Sequence, residues 1–194
     1  MSRQQTKQAG FTLIEISLAM AIFTFMLLVV SLAYINIARL YNASTVARNV
    51  QQNNRFAMEQ ITRVARTANS VTLSAREADG GLSSICFTVR GGPQLFYLAA
   101  AGTDTKKREL RQATVADCGN PVPQAPKVLS SKESFAGRLD ATSTADSTTI
   151  SLWMVSRVDL LDTADESGLK CKSGAGAEFC AINKLTTTVG LRGE

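Results

Sequence analysis

Gly10-Phe11-Thr12-Leu13-Ile14-Glu15, followed by ISLAMAIFTFMLLVVSLAYI over residues 16–35, decides how the rest of the chain is read. From Phe11 to Ile35 the sequence is almost wholly apolar. A helix rises 1.5 Å per residue, so about 20 such residues cross the hydrocarbon core of a bilayer. The ten residues ahead of it, MSRQQTKQAG, are polar and carry Arg3 and Lys7 but no acid. Positive charge before a span holds the N-terminus in the cytoplasm. The chain after the span then lies outside the inner membrane, where disulfides form.

A plain signal anchor accounts for this pattern, and Ser31-Leu32-Ala33 has the small-x-small look of a secretory cleavage site. The apolar run exceeds the roughly 7–15 residues of a signal-peptide core, however, and continues into a helical pattern without a break. No cysteine stands directly after it, which excludes a lipoprotein. Neither reading explains Glu15, a carboxylate inside the run. At the centre of a membrane helix such a group costs about 2.5–3.5 kcal/mol on insertion scales, so it persists where it has a partner or a task. Near the helix start its charge suits the helix dipole. Cleavage after Gly10 would create a free amine on Phe11. In an apolar filament core that amine of one subunit would attract Glu15 of the next with little screening, setting the axial register between them.

Gly10-Phe11-Thr12-Leu13-Ile14-Glu15 resembles the class III signal of type IV prepilins and type II secretion pseudopilins. The resemblance implies cleavage after Gly10 by prepilin peptidase on the cytoplasmic side, N-methylation of Phe11 by the same enzyme, and Glu15 as the assembly residue. Major pilins commonly carry a proline within the apolar helix. Here no proline occurs before Pro93, so the helix lacks that breaker and fits a minor pilin or minor pseudopilin better.

No Gly or Pro interrupts Phe11 to Ser70. After the span the apolar residues thin to a stripe of Ile37, Leu40, Tyr41, Ala47, Val50, Ala57, Ile61, Val64 and Ala68, at helical steps of three, four and seven. Arg39, Arg48, Arg55, Glu59 and Arg66 mostly avoid it. The pattern predicts one helix of nearly 60 residues, roughly 85–90 Å long. Strands are expected at 70–73, 85–89, 94–98, 149–155 and 185–192, with turns at Gly80-Gly81 and Gly91-Gly92-Pro93. An edge strand is expected at 109–113 after a basic loop, with irregular connection over 119–126 and a loop over 170–177. A long helix followed by antiparallel strands gives an α+β fold. This again resembles the pilin fold, and most closely W-type minor pilins and J-type minor pseudopilins, over Arg55 to Ala68, the paired middle strands and the closing Thr-Thr-Val-Gly-Leu-Arg. The expected organisation is a cleaved leader over 1–10, a transmembrane and filament-core helix over 11–35, an amphipathic continuation over 36–69 and a β-sheet domain over 70–194.

The chain has 194 residues, net charge +5 and no histidine. Without histidine it lacks the commonest general base and metal ligand, and a Ser-His-Asp or Cys-His site is impossible within it. No catalytic constellation appears, so an enzyme is not expected, nor any cofactor. Cys86, Cys118, Cys171 and Cys180 all follow the span, and none forms a C-x-x-C pair. An even count in an exported region reads as two disulfides, with free thiols or a four-thiolate metal site as the alternatives. Four cysteines allow three pairings. The reading chosen joins Cys171 to Cys180 across a small loop, and Cys86 on a strand to Cys118 in the irregular segment.

Three further features have a functional and a plain reading. Asp159, Asp162, Asp165 and Glu166 suit calcium by their oxygen ligands, as in some pseudopilin loops, but match no EF-hand spacing and read as a solvated acidic turn. Trp153 is either an exposed subunit contact or partly buried packing. Lys106-Lys107-Arg108 would permit DNA contact but lacks interleaved aromatics. The expected function is therefore a minor pilin or pseudopilin that primes or tips a filament, with a pilus-tip binding module for surfaces or DNA as the alternative. Its expected partners are prepilin peptidase, other pilins or pseudopilins, an inner-membrane assembly platform and, before assembly, membrane lipid.

Overall fold

The computed structural model describes residues 12–74, 82–102, 104–119, 121–131, 133–144, 146–162, 169–174 and 176–190. Gly80-Gly81 lies outside them. The chain divides into two compact units, Met1–Tyr41 and Asn42–Glu194.

Helix α1, Leu13–Ala65, runs unbroken for 53 residues and enters both units. The lack of glycine and proline permits this continuity. In the first unit the helix carries its apolar residues outward: Leu13 is 88% exposed and Phe25 70%. Thr24 and Ser31 return their hydroxyls to the carbonyls of Met20 and Leu27, at 3.0 and 2.8 Å. Their polarity is thus absorbed inside the helix, as an apolar surrounding requires. By length and composition this helix can cross a membrane.

In the second unit the rest of α1 lies on the core. Val50, Ala57 and Ile61 of the expected stripe are buried and Val64 partly so, with Met58 and Ala65 beside them. The stripe does not extend as far back as periodicity suggested: Ile37, Leu40 and Tyr41 are each at least 65% exposed, and Ala47 is exposed. Periodicity reports an amphipathic helix but not where the sheet beneath it begins. The helix also stops earlier than expected, at Ala65. Arg66 and Thr67 donate their N–H groups to Thr62 and Val64 in a closing turn, and Ala68 opens β1 with its side chain fully buried.

Five antiparallel strands form one sheet in the order β1 (Ala68–Leu73), β2 (Ser84–Val89), β3 (Gln94–Ala101), β4 (Asp104–Thr114), β5 (Gln124–Val128). A second sheet orders β10 (Ile182–Gly190), β7 (Ser147–Val155) and β6 (Phe135–Ser143), and the two-residue strands β8 (Leu161–Asp162) and β9 (Lys170–Cys171) pair with each other. The described residues thus form the expected α+β arrangement, one long helix packed on antiparallel sheets. Gly92, at φ 107°, makes the β2–β3 turn. Ile85, Phe87, Phe96, Leu110, Leu139, Ile150, Leu152 and Met154 meet Ala57 and Ile61 in one core. Phe87 and Phe96 pack edge to face at 5.9 Å.

Four expectations need correction. The basic cluster at 106–108 lies within β4 and not in a loop. β4 is an interior strand, because residues 124–126, expected to be irregular, open β5 along its outer side. All of β5 is exposed, and Pro126 is tolerated there because an outer strand need not donate on its free side. The segment 170–177, expected as loop, contributes β9.

Cys86 is bonded to Cys118 and Cys171 to Cys180, across 32 and 9 residues of sequence. Loop-closure entropy assigns the longer link about 3–4 kcal/mol and the shorter about 2–3 kcal/mol. Urea unfolding of the full chain in detergent, followed by the fluorescence of its single tryptophan, is expected to show the larger loss for Cys86→Ala/Cys118→Ala. Equal losses would mean that loop length does not govern them.

Candidate assembly site at the head of the apolar helix

Gly10 and Phe11 lie outside the described residues, which begin at Thr12. Thr12 stands just before α1 and Glu15 sits in its first turn. Thr12 donates both its backbone N–H and its hydroxyl to Glu15 Oε2, each at 2.9 Å. Glu15 donates its own N–H to Thr12 Oγ1 at 3.4 Å. This is a reciprocal capping box, built by the spacing Thr-x-x-Glu. The sequence signal for it was present, although the carboxylate drew notice only for its charge.

The cap fixes where Glu15 stands. Both bonds fall on Oε2, and Oε1 takes none among the described residues. No other charged residue occurs between Thr12 and Ala38. The site is therefore one fixed anion at the tip of an exposed apolar rod. It attracts a cation in a low-dielectric setting, where attraction is strong and directional.

The other candidate residues lie in the second unit. Lys107 Nζ is 5.7 Å from the Phe135 ring centre, a cation–π contact. Arg108 pairs opposite Ala100 in the β3–β4 ladder, and the Lys106 side chain is outside the described set. Asp159 is gripped by Arg157, through Nε at 2.9 Å and Nη2 at 2.6 Å. That bidentate bond holds the Asp159 carboxyl down at about 2. The Asp162 side chain, Asp165 and Glu166 lie outside the described residues, among which no cluster of three metal-ligating groups occurs. Trp153 is partly buried, with Lys184 Nζ 4.6 Å and Arg138 Cζ 5.5 Å from its ring centre.

A cleft of 730 Å³ is lined by Val46, Lys107, Phe135, Ser156, Arg157 and Phe179 among others. Its hydroxyl is committed: Ser156 donates to the Phe179 carbonyl and accepts from the Ala181 N–H, both at 2.8 Å. Its Arg157 is already bonded to Asp159. The cleft's serine is therefore held by the backbone on both sides, with no base beside it among these bonds.

Sequence reasoning missed Asn54. It is fully buried on the core face of α1 and donates through Nδ2 to the Leu152 carbonyl at 3.2 Å, and to the carbonyl and side-chain oxygens of Asn183, both at 2.8 Å. It ties the helix to β7 and β10 at once. Its place between Val50 and Met58 was the available signal, a polar residue at an apolar step.

A family model described as the prokaryotic N-terminal methylation motif matches residues 5–31. That span contains Gly10, Phe11, the Thr12–Glu15 cap and most of the apolar run. No curated protein and no solved structure matches the chain.

Proposed function

We propose that this chain, a type IV pilin-like protein by its N-terminal methylation motif, is a minor pilin or minor pseudopilin that primes or tips a filament. The single observation that carries this reading is Glu15, capped and fixed at the head of an otherwise uncharged, outward-facing apolar helix. An apolar surface of that extent demands cover. Lipid supplies it before assembly, and the helices of neighbouring subunits supply it afterwards. In this account residues 1–10 form a cytoplasmic leader, prepilin peptidase cuts between Gly10 and Phe11, and Phe11 is N-methylated. The helix over 11–35 spans the inner membrane with the domain that follows on the outer side. An assembly platform then draws it into a pilus or pseudopilus. The unbroken α1 supports a minor role, since no proline softens its apolar half. Nothing in the reading calls for a catalytic role.

The mechanism follows from the geometry. Leader removal would expose a cationic amine four residues before Glu15. An incoming chain would bring its Phe11 amine to the carboxylate of a chain already in place. Only one axial offset joins the two charges, so apolar contact holds the helices together while the ion pair selects their register. The test is the N-terminus of the chain in membranes, with and without the prepilin peptidase. The expected mature chain starts at methylated Phe11 when the enzyme is present and at Met1 when it is absent. Met1 in both preparations, or a start just after Ala33, would overturn the reading.

A further inference from the structure

The outward side of α1 in the second unit, with the turn that closes it, carries Arg48, Arg55, Arg63 and Arg66, all exposed, against one acid, Glu59. At about 100° per residue, Arg48, Arg55, Glu59 and Arg66 fall within about 40° of one another around the helix axis, opposite buried Val50, Ala57 and Ile61. Glu59 is taken by Arg63 at 3.3 Å. Arg48, Arg55 and Arg66 make no ion pair among the described residues. Beside the stripe runs an open groove of 530 Å³ lined by Arg55, Met58, Thr62, Arg66 and Leu185 together with the Glu59–Arg63 pair. Phe56, next to Arg55 in the chain, is 46% exposed. The face thus has three cations without an ion pair among the described residues, flanked on one side by the groove over Met58 and Leu185 and on the other by the exposed Phe56 ring.

We propose that this face is the docking surface for a different pilin-like subunit, one whose helix presents an acidic face. The inference rests on the reading of the chain as a filament subunit and adds the identity of its neighbour. Charge decides between the two filament occupants. The α1 of a second copy carries Arg39, Arg48, Arg55 and Arg63 against two acids, Glu15 and the already paired Glu59, so along its length it would set cations mostly against cations, and like charges brought together at an interface are repelled. An acidic helix satisfies Arg48, Arg55 and Arg66 together. It can also insert an apolar side chain over Met58 and Leu185. On this account the basic stripe works against self-polymerisation and directs the chain to a heteromeric position.

The test uses the full chain in cells that assemble their native filaments. A photo-crosslinking amino acid, p-benzoylphenylalanine, replaces Gln52, which lies on the exposed side between Arg48 and Arg55. The crosslinked partner and position are read by mass spectrometry. The expected product joins this chain to a different pilin-like chain, at a helical segment rich in Asp and Glu. The triple variant Arg48→Glu/Arg55→Glu/Arg66→Glu is expected to lose that product and fall about tenfold in filament recovery, and reversing the crosslinked acids to Arg in the partner should restore both. All three positions are exposed, so the unfolding curve of the variant should match the parent. Should the triple variant not fold, Arg48→Gln/Arg66→Gln takes its place, with the same loss expected. A product joining two copies of this chain, a product with lipid alone, or unchanged crosslinking and recovery in the variant would overturn the proposal and leave the filament reading standing. A parent chain absent from filaments would overturn both.

Discussion

Replacing Glu15 by alanine should leave the chain inserted in the membrane and cut after Gly10, yet lower its recovery in filaments at least tenfold. Insertion should not suffer, because the change removes a carboxylate, whose cost reaches about 2.5–3.5 kcal/mol at the centre of a membrane helix and is smaller at its end. Loss of the cap weakens the helix start by about 1 kcal/mol, which a rod of this length tolerates. What is lost is the attraction between Glu15 and the amine of a neighbour. Two unit charges about 4 Å apart attract by about 4 kcal/mol at an effective dielectric of 20, and desolvation offsets part of it. A remainder of only about 1.4 kcal/mol already gives the tenfold effect. Two companions separate charge from capping. Glu15→Gln keeps an oxygen that accepts from the Thr12 N–H and should behave like Glu15→Ala. Thr12→Ala breaks the cap but keeps the charge and should assemble nearly as the parent does. Assays of processed chain in the membrane fraction and in sheared filaments check all three. Normal recovery of Glu15→Ala would end the register account. Failure of Thr12→Ala with normal recovery of Glu15→Gln would assign the effect to helix capping.

The elements legible in the sequence were those where one physical signal dominates. The absence of breakers gave α1. Alternation of large apolar residues gave β7, where Ile150, Leu152 and Met154 are all buried, and aromatic-rich runs on either side of Gly91-Gly92-Pro93 gave β2 and β3. The elements that escaped lack such a signal. In β6 the inward residues are Ala136, Leu139 and Ala141. Two are small, and the register shifts between Ala136 and Arg138, so the inward spacing is three and then two. Gly137 sits in that irregularity under close cover: a Cβ there would lie 2.5 Å from Leu169 Cδ1. β5 escaped because it buries nothing and contains proline.

The candidate site was legible for a different reason. Gly10, Phe11 and Glu15 stand at fixed offsets from the start of an apolar run, so one glance at charge and hydropathy finds them. That signal is local, and the matched family model likewise stops at residue 31. The globular part had to be read from weaker patterns. The sequence also placed Arg48, Arg55 and Arg66 off the apolar stripe, but only the fold shows that no described acid answers them.

Asn54→Asp should lower the stability of the globular unit by about 3–5 kcal/mol at neutral pH, far more than its small change in shape suggests. The parent amide faces only acceptors: two backbone carbonyls and the Asn183 side-chain oxygen, all served by Nδ2. A carboxylate of the same outline puts oxygen where the donor stood and adds an unpaired charge at a fully buried position. Burial and the facing oxygens would raise the folded-state pKa of that new carboxyl above its unfolded value near 4. The deficit should then be largest above the folded pKa and shrink as pH falls toward about 4, because the protonated acid regains one donor. Urea unfolding of the full chain in detergent at pH 7 and pH 4.5, followed by Trp153 fluorescence, checks both sign and size. Asn54→Leu removes the donor without adding charge and should cost about 1–3 kcal/mol at either pH. A pH-independent loss in Asn54→Asp equal to that of Asn54→Leu would show that missing hydrogen bonds, and not buried charge, set the penalty where α1 meets β7 and β10.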